Sequence, residues 1–469
     1  MNPSHVSAPV PEPKYHRIAE DLAHAIVSGQ YAPGEKLPPH RVLAKRLGVT
    51  AGTVSRAYAS LERRALAQAR VGDGTYVRNP DLGQAGQAHA TALIDLAHNV
   101  AIRTDEGHAL QHTLAELVRP DKLAAAAGLL DYQPEAGMAR HRAAGAAWLQ
   151  QQFGMPGRAE RVMVTHGAQH ALAAVLRTVA RSGDTMLTES LSYSGMLELA
   201  RSLRLQVIGL PMDDEGLLPD ALEQAARSYG SRMLFCTPSL HSPSTATMSL
   251  ARRQAIAAVL RRHKMLLLED VVHAAALQSP LPAIASMLPE QSFLLASFSK
   301  VMAPGLRVGY LEASAPWLDK VAANIRADCW MVAPLMPEIL TRWLESGLAL
   351  QLVARQRDAI AERLVLAERC LHGLVFRSAP DLPHLYLPLP SGWTVPRLTA
   401  ALRQAGVLVR TMDHFAAGRQ TPPAAVRISL NATPTPEALR QGLQALASVL
   451  HAGAGAADAA TGRQLLETG

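Results

Sequence analysis

From about Ile94 onward, short apolar runs alternate with longer Ala- and Leu-rich stretches of helical period, and this alternation limits the possible folds more than any other feature of the chain. The runs are Val162–Thr165, Thr185–Leu187, Leu205–Leu210, Met233–Cys236, Met265–Leu268 and Phe293–Ala296. Strands that alternate with helices build βα units, so the expected fold class is α/β with a mainly parallel sheet. A chain of 469 residues exceeds one ordinary domain, and two unequal domains accommodate it. Its 48% hydrophobic content is enough for a large buried core and excludes a disordered chain.

The first eighty residues follow a different pattern. Ile18, Leu22, Ala25 and Ile26 fall at helical spacing until Gly29 and Pro33-Gly34 stop the helix. Arg41 to Leu47 forms a second helical stretch broken by Gly48. Thr50 then caps a third, which carries Val54, Ala57, Tyr58 and Leu61. Two helices joined by a tight glycine turn read as a helix-turn-helix. Ala67 to Arg70 and Thr75 to Arg78 flank Gly72-Asp73-Gly74 as a hairpin, or wing. The expected boundaries are 14–78 for this module, 79–93 for a flexible linker, 94–451 for the large domain and 452–469 for a flexible tail.

Charge separates the two parts again. Residues 14–78 hold eleven Lys or Arg against five Asp or Glu, so +6 of the chain's formal +7 lies there. That concentration points to a polyanionic partner for the small module and excludes a uniformly basic protein. Cys236, Cys329 and Cys370 show no paired spacing, which argues against a disulfide framework or thiolate metal cluster and fits a reducing cytoplasm. No signal peptide or membrane span is visible, and no metal site is expected.

The string Leu37-Pro38, Arg41, Leu43-Ala44, Leu47-Gly48-Val49, Thr53-Val54, Arg56-Ala57-Tyr58, Leu61-Glu62 and Gly72-Asp73-Gly74-Thr75-Tyr76-Val77 resembles the winged helix-turn-helix of GntR-type bacterial regulators. The resemblance implies that the helix opening at Thr50 enters a major groove. Arg41, Thr50, Thr53, Arg56 and the wing at Gly74 would then contact DNA. Ala51 stands where that family usually has Arg, and Pro39-His40 replaces small polar residues.

Ser297-Phe298-Ser299-Lys300, with Arg307 seven residues beyond the lysine, resembles the cofactor-lysine segment of fold type I pyridoxal 5′-phosphate (PLP) enzymes. The resemblance implies that Lys300 condenses with the cofactor aldehyde while Ser297 and Arg307 bind its phosphate. Asp270 ends an apolar run thirty residues earlier and would pair with the pyridinium nitrogen; taken alone, such an acid serves equally as a helix cap. Gly167, Ala168 and Gln169 follow a strand and open a helix, where backbone amides would cradle the phosphate, although alone they are an ordinary βα turn. By the same resemblance Tyr193 would stack on the cofactor, and Tyr132 would reach the phosphate of the other subunit's cofactor, which implies a homodimer. Arg427 would hold an effector carboxylate. His273 stands where a tyrosine commonly bonds the cofactor's 3′ oxygen, and Ser242 where Asn is usual.

A GntR-like module, a linker and a type I aminotransferase-like domain in this order resemble the MocR subfamily. That resemblance implies a cytoplasmic, PLP-dependent transcriptional regulator that binds promoter DNA and senses an amine or amino acid through aldimine exchange. The changes at His273 and Ser242 point to a cofactor held for sensing, with little or no turnover. The alternatives are an active aminotransferase with a tethered DNA-binding domain and a regulator whose ligand is PLP itself.

Overall fold

The computed structural model describes residues 13–28, 30–31, 35–64, 66–70, 73–77, 93–122, 127–418 and 420–466. The expected helix stops at Gly29 and Pro33-Gly34, the wing residue Gly72, Arg78 and almost all of the linker lie outside the described residues. Two compact units are present: residues 1–90 with 419–421 make the first, and residues 91–418 with 422–469 the second.

In the first unit, α1 (Lys14–Val27), α2 (His40–Leu47) and α3 (Ala51–Arg63) enclose a core with β1 (Ala67–Arg70) and β2 (Gly74–Val77). Ile18, Leu22 and Ile26 of α1 meet Val54, Ala57, Tyr58 and Leu61 of α3, each set recurring every three or four residues. Gly48, at φ 62°, ends α2 in the left-handed region, and the Thr50 hydroxyl accepts the Thr53 backbone N–H to start α3. The Tyr58 hydroxyl donates to the Pro38 carbonyl at 2.6 Å and ties α3 to the segment before α2. β1 and β2 pair antiparallel, Ala67 opposite Val77 and Arg70 opposite Gly74.

The second unit is built on a seven-stranded sheet. In chain order the unit's early strands are β3 (Ile94–Asp95), β4 (Val162–Thr165), β5 (Thr185–Glu189), β6 (Gln206–Leu210), β7 (Met212–Asp213) and β8 (Gly216–Leu217). They are followed by β9 (Met233–Cys236), β10 (Leu266–Asp270), β11 (Ser292–Ser297) and β12 (Gly309–Ala313). The sheet order is β4-β12-β11-β10-β9-β5-β6, and only β12 runs antiparallel to its neighbours. The six expected runs are six of these strands. β12, which opens on Gly309 and carries Glu312, has no comparable apolar run.

Alternate residues of each strand feed two separate cores. Val162, Val164, Leu187, Leu234, Leu267 and Leu294 pack on one face, and Met163, Met186, Met233, Phe235, Leu268 and Phe293 on the other. Burial on both faces is why the runs are apolar at every position and lack a two-residue period. Because the strands are parallel, the carboxyl ends of β4, β5, β9, β10 and β11 lie along one edge, where such sheets place their ligands.

A third core lies under a smaller antiparallel sheet, β13 (His384–Pro388), β16 (Ala425–Ser429) and β15 (Arg410–Thr411), while β14 (Val407–Leu408) pairs with β3. The last helix runs Pro436–Leu466, so the segment expected as a flexible tail from 452 is helical as far as Leu466. Its alanines have the highest helix propensity, and this outweighs the intervening glycines.

Glu338 is the more buried of two acids, with Glu345, that tie the helix Leu335–Glu345 to Arg140 of the helix Ala139–Phe153. It accepts from Arg140 Nη1 and Arg342 Nε, both at 2.7 Å, and pairs with His141 Nε2 at 3.0 Å. Burial opposes its ionisation, but the hydrogen bonds from His141 and Arg342 and the charge of Arg140 outweigh this and hold the carboxyl at about 2. A folded-state value below the unfolded one of about 4.3 means that the stabilisation is complete above that range and is lost as pH falls toward 2. Glu338→Gln should therefore cost roughly 2–3 kcal/mol at pH 7, and much less near pH 2, measured by urea unfolding at both pH values.

Candidate functional site

The carboxyl edge of the large sheet gathers the expected residues of the second unit apart from Tyr132. Asp270 ends β10, and its Oδ1 accepts the Val272 N–H at 2.9 Å. Lys300 follows β11 in a tight turn, and its Nζ donates to the Asn99 carbonyl at 2.6 Å. Burial first, and then the nearby Arg427 and Arg307 charges, bring the Lys300 amine down to about 8, with Asp270 opposing them. Burial raises the Asp270 carboxyl to about 6, and Lys300 is one of the groups that pull it back. The neutral amine, the form in which it is a nucleophile, is therefore far more accessible near neutral pH than in an ordinary lysine.

Arg307, in the left-handed region at φ 51°, donates from Nη2 to the His166 carbonyl at 3.2 Å, and its Nη1 stands 3.5 Å from the Ser299 hydroxyl. Gly167, at φ 79°, precedes the helix Ala168–Val179; a Cβ there would come 3.0 Å from Arg307 Nη2. Gly309 of β12 runs so close behind that a Cβ on it would lie 2.6 Å from the Gly167 carbonyl carbon. A guanidinium thus sits against a helix N-terminus where Ala168 presents its backbone N–H, while the Gly167 N–H is donated to the Thr165 carbonyl at 2.8 Å and Gly167 supplies the close approach, an arrangement suited to an anion. Gln169 donates from Nε2 to the Gly195 carbonyl at 3.1 Å, and its buried Oε1 has no partner among the described residues.

Ser297, expected at the cofactor phosphate, lies at the start of the same turn. Its buried hydroxyl donates to the Val308 carbonyl at 3.1 Å and accepts the Ser299 N–H at 3.2 Å, so it braces the lysine turn. Ser299 is the serine whose hydroxyl reaches Arg307. Tyr193 stands just before the helix Ser194–Ser202 with its ring against Gly195; burial, followed by the Asp270 charge, pushes its hydroxyl up to about 12. Burial and the surrounding Lys300 and Arg427 charges bring His273 to about 3, so it is a neutral imidazole that keeps one N–H to donate. Its ring lies edge-on to His384 at 6.1 Å.

Arg427 on β16 donates from Nη1 to the Ser242 hydroxyl at 3.1 Å and from Nη2 to the Ala97 carbonyl at 2.6 Å, while its buried Nε has no partner among the described residues. Burial and the neighbouring Arg410 lower it to about 9, and its guanidinium lies 5.0 Å from the Phe415 ring centroid. Ser242, weighed from sequence as a cofactor contact, is here a support for Arg427. Tyr132 is not drawn into this group: its ring is 83% exposed and packs edge-on against Trp330 at 6.1 Å. Asn99 was missed by sequence reasoning because it acts through its backbone carbonyl, which no side-chain pattern marks; its Oδ1 accepts from Asn431 at 2.9 Å.

In the first unit Arg41 and Arg56 are exposed on α2 and α3. The Thr50 hydroxyl is engaged with Thr53, whose own hydroxyl is 2.9 Å away. At the wing, Lys36 Nζ donates to Asp73 at 2.9 Å and the Tyr76 hydroxyl donates to the same carboxylate at 2.8 Å. Gly74, at φ 124°, leaves room for the Lys36 stem, since a Cβ would fall 2.7 Å from Lys36 Cε. Its contribution is to the shape of the wing.

Residues 91–446 match the family model for aminotransferase class I and II, and residues 14–77 match that for bacterial regulatory proteins of the gntR family. The chain belongs to the aminotransferase class I and II family through its large unit and carries a gntR-family helix-turn-helix at its N-terminal end. This pairing is that of MocR-type regulators. The chain is 28% identical over 446 residues to the HTH-type transcriptional regulator YdeF of Bacillus subtilis, covering 94% of this chain and 95% of YdeF. It is 28% identical over 426 residues to the HTH-type pyridoxine biosynthesis transcriptional regulator PdxR of Corynebacterium glutamicum, covering 86% and 88%. Among solved structures, the multiple substrate aminotransferase of Thermococcus profundus superposes with a TM-score of 0.70 at 20% identity, over 78% of this chain and 93% of that one. The α-aminoadipate aminotransferase LysN of Thermus thermophilus superposes at 0.69 with 22% identity over the same shares.

The donor set fits the PLP that this fold implies. A buried amine suits its aldehyde, an acid beside the amine suits its ring nitrogen, and Arg307 with the Gly167 helix start suits its phosphate. Gly167→Ala forces a side chain into the left-handed region and against Arg307, so PLP affinity should fall about tenfold with little change in the far-ultraviolet circular dichroism. A titration of the visible absorbance of bound PLP measures it.

Proposed function

We propose that this protein is a transcriptional regulator that binds promoter DNA through residues 14–78 and senses an amine or amino acid with PLP held at Lys300. One observation carries the reading: a converging group of Lys300, Asp270, Arg307 and Gly167 at the carboxyl edge of the sheet is encoded in the same chain as an exposed basic helix-turn-helix. PLP, when bound, supplies an aldehyde carbon that condenses with primary amines. Lys300 is the residue that would hold it, and its amine is the group an effector amine would replace. Asp270 keeps a negative charge beside the ring nitrogen, Arg307 and the helix start at Gly167 and Ala168 hold the phosphate, and Tyr193 covers the ring. His273 donates its single N–H toward the 3′ oxygen, and Arg427 receives the effector's carboxylate if it has one.

DNA contacts come from Arg41, Thr53 and Arg56 and from the wing shaped by Gly74, with Thr50 fixing the start of the reading helix. Tyr132, exposed in one subunit, reaches the phosphate of the other, so the working form is a homodimer that presents two DNA-binding modules in the cytoplasm. The second reading is an aminotransferase that also binds DNA, and the lowered Lys300 amine favours it because such a group moves protons readily. Steady-state transamination at enzyme-like rates would establish it.

Arg56→Ala should weaken DNA binding about tenfold and flatten its salt dependence, as read by fluorescence anisotropy between low and moderate salt. Lys300→Ala should keep DNA binding but remove its response to amines, a response expected to span about 5- to 150-fold in affinity in the parent protein. A Lys300→Ala protein that still responded to the effector would overturn the sensing reading.

A further inference from the structure

Between the residues that connect the two units and the site lies a short segment, Leu96–Asn99, whose backbone is held by the same side chains assigned to the effector. The Ala97 carbonyl accepts from Arg427 Nη2 at 2.6 Å, and the Asn99 carbonyl accepts from Lys300 Nζ at 2.6 Å. Asn431 Nδ2 donates to Asn99 Oδ1 at 2.9 Å, and the Leu96 carbonyl accepts the Ser429 N–H at 2.7 Å. Asp95 shapes the turn from inside: its Oδ1 accepts the N–H groups of Ala97 at 2.7 Å and His98 at 3.1 Å, and its Oδ2 pairs with His98 Nδ1 at 2.5 Å. His98 Nε2 in turn lies 3.2 Å from Nη2 of Arg410, the arginine that shares the Arg427 surroundings.

We infer that Leu96–Asn99, set by Asp95, is a latch on Arg427 that an effector carboxylate releases, and that its release is what changes DNA binding. The inference rests on Arg427 being the carboxylate site proposed above. A carboxylate is a charged acceptor whose hydrogen bonds to a guanidinium are roughly twice as strong as those of a neutral carbonyl, so it displaces the Ala97 oxygen. The freed backbone belongs to the stretch that continues directly into residues 78–92 and from there to the DNA-binding unit. An amine without a carboxylate occupies the Lys300 position but leaves Arg427 on Ala97. Asp95 is a positioning residue here, acting through the Ala97 and His98 amides.

The test uses the full-length PLP-loaded protein, with L-alanine and ethylamine as probes and a DNA fragment selected by the protein from random sequence. Visible absorbance reports amine entry, backbone hydrogen exchange of residues 96–98 reports the latch, and anisotropy reports DNA affinity. L-alanine should speed exchange at Ala97 and His98 and shift DNA affinity by about fivefold or more, whereas ethylamine should change the absorbance alone. Asp95→Asn, without any probe, should speed exchange at the same amides by about fivefold and move DNA affinity in the direction L-alanine does. Arg427→Gln should do the same and show no further response to L-alanine. Absorbance that ignores every amine removes the sensing reading, and with it the input to the latch. Absorbance that responds to L-alanine while exchange at 96–98 stays unchanged overturns the latch alone, as does normal exchange in both folded variants.

Discussion

The second unit is organised around two cations drawn in from water, the part-buried Lys300 and the buried Arg427, with the acid Asp270 beside the lysine and the more exposed Arg307 at the margin of the group. Removing charges from water is expensive, and the chain lowers that cost with carbonyl oxygens at fixed distances: Asn99 for Lys300 and Ala97 for Arg427. The remaining imbalance appears as a lysine brought to about 8 and an arginine to about 9. A site under this strain is poised for an anionic, aldehyde-bearing cofactor and for a ligand that combines an amine with a carboxylate.

The sheet makes such a site possible. Parallel strands buried on both faces are rigid and end together, so Thr165, Glu189, Cys236, Asp270 and Ser297 finish along one edge although more than 130 residues separate the first from the last. β12 adds a local constraint: Gly309 passes so near Gly167 that the helix start and Arg307 are pressed together. The antiparallel sheet then brings Arg427 from the far end of the chain, with its guanidinium on Ser242 and Ala97.

The first unit follows a different logic. A three-helix core with a hairpin needs few residues, so its surface is free to carry charge. The two arginines expected to meet DNA are exposed, whereas Arg64 is tied up with Glu20. Polar residues divide in the same way between reading and shaping: Thr50 caps, Gly74 bends, and Lys36 braces the wing through Asp73.

Much of this was legible in the amino-acid sequence because it depends on local pattern. The six apolar runs, the helix-turn-helix with Gly48 and Thr50 at its turn, and the Lys300-to-Arg307 spacing all arise from contacts between near neighbours or from the burial of whole elements. β12 was invisible because Gly309 at its start and Glu312 near its end break up the apolar run by which the other strands are recognised. Only the tertiary structure decided which serine faces Arg307, because Ser297 and Ser299 differ solely in whether the turn folds their hydroxyls inward. It also decided that Ser242 and the carbonyls of Ala97 and Asn99 attend the arginine and the lysine. Those contacts join residues 185, 330 and 201 positions apart, two of them run through backbone atoms that every residue possesses, and no local signal can specify such a partner.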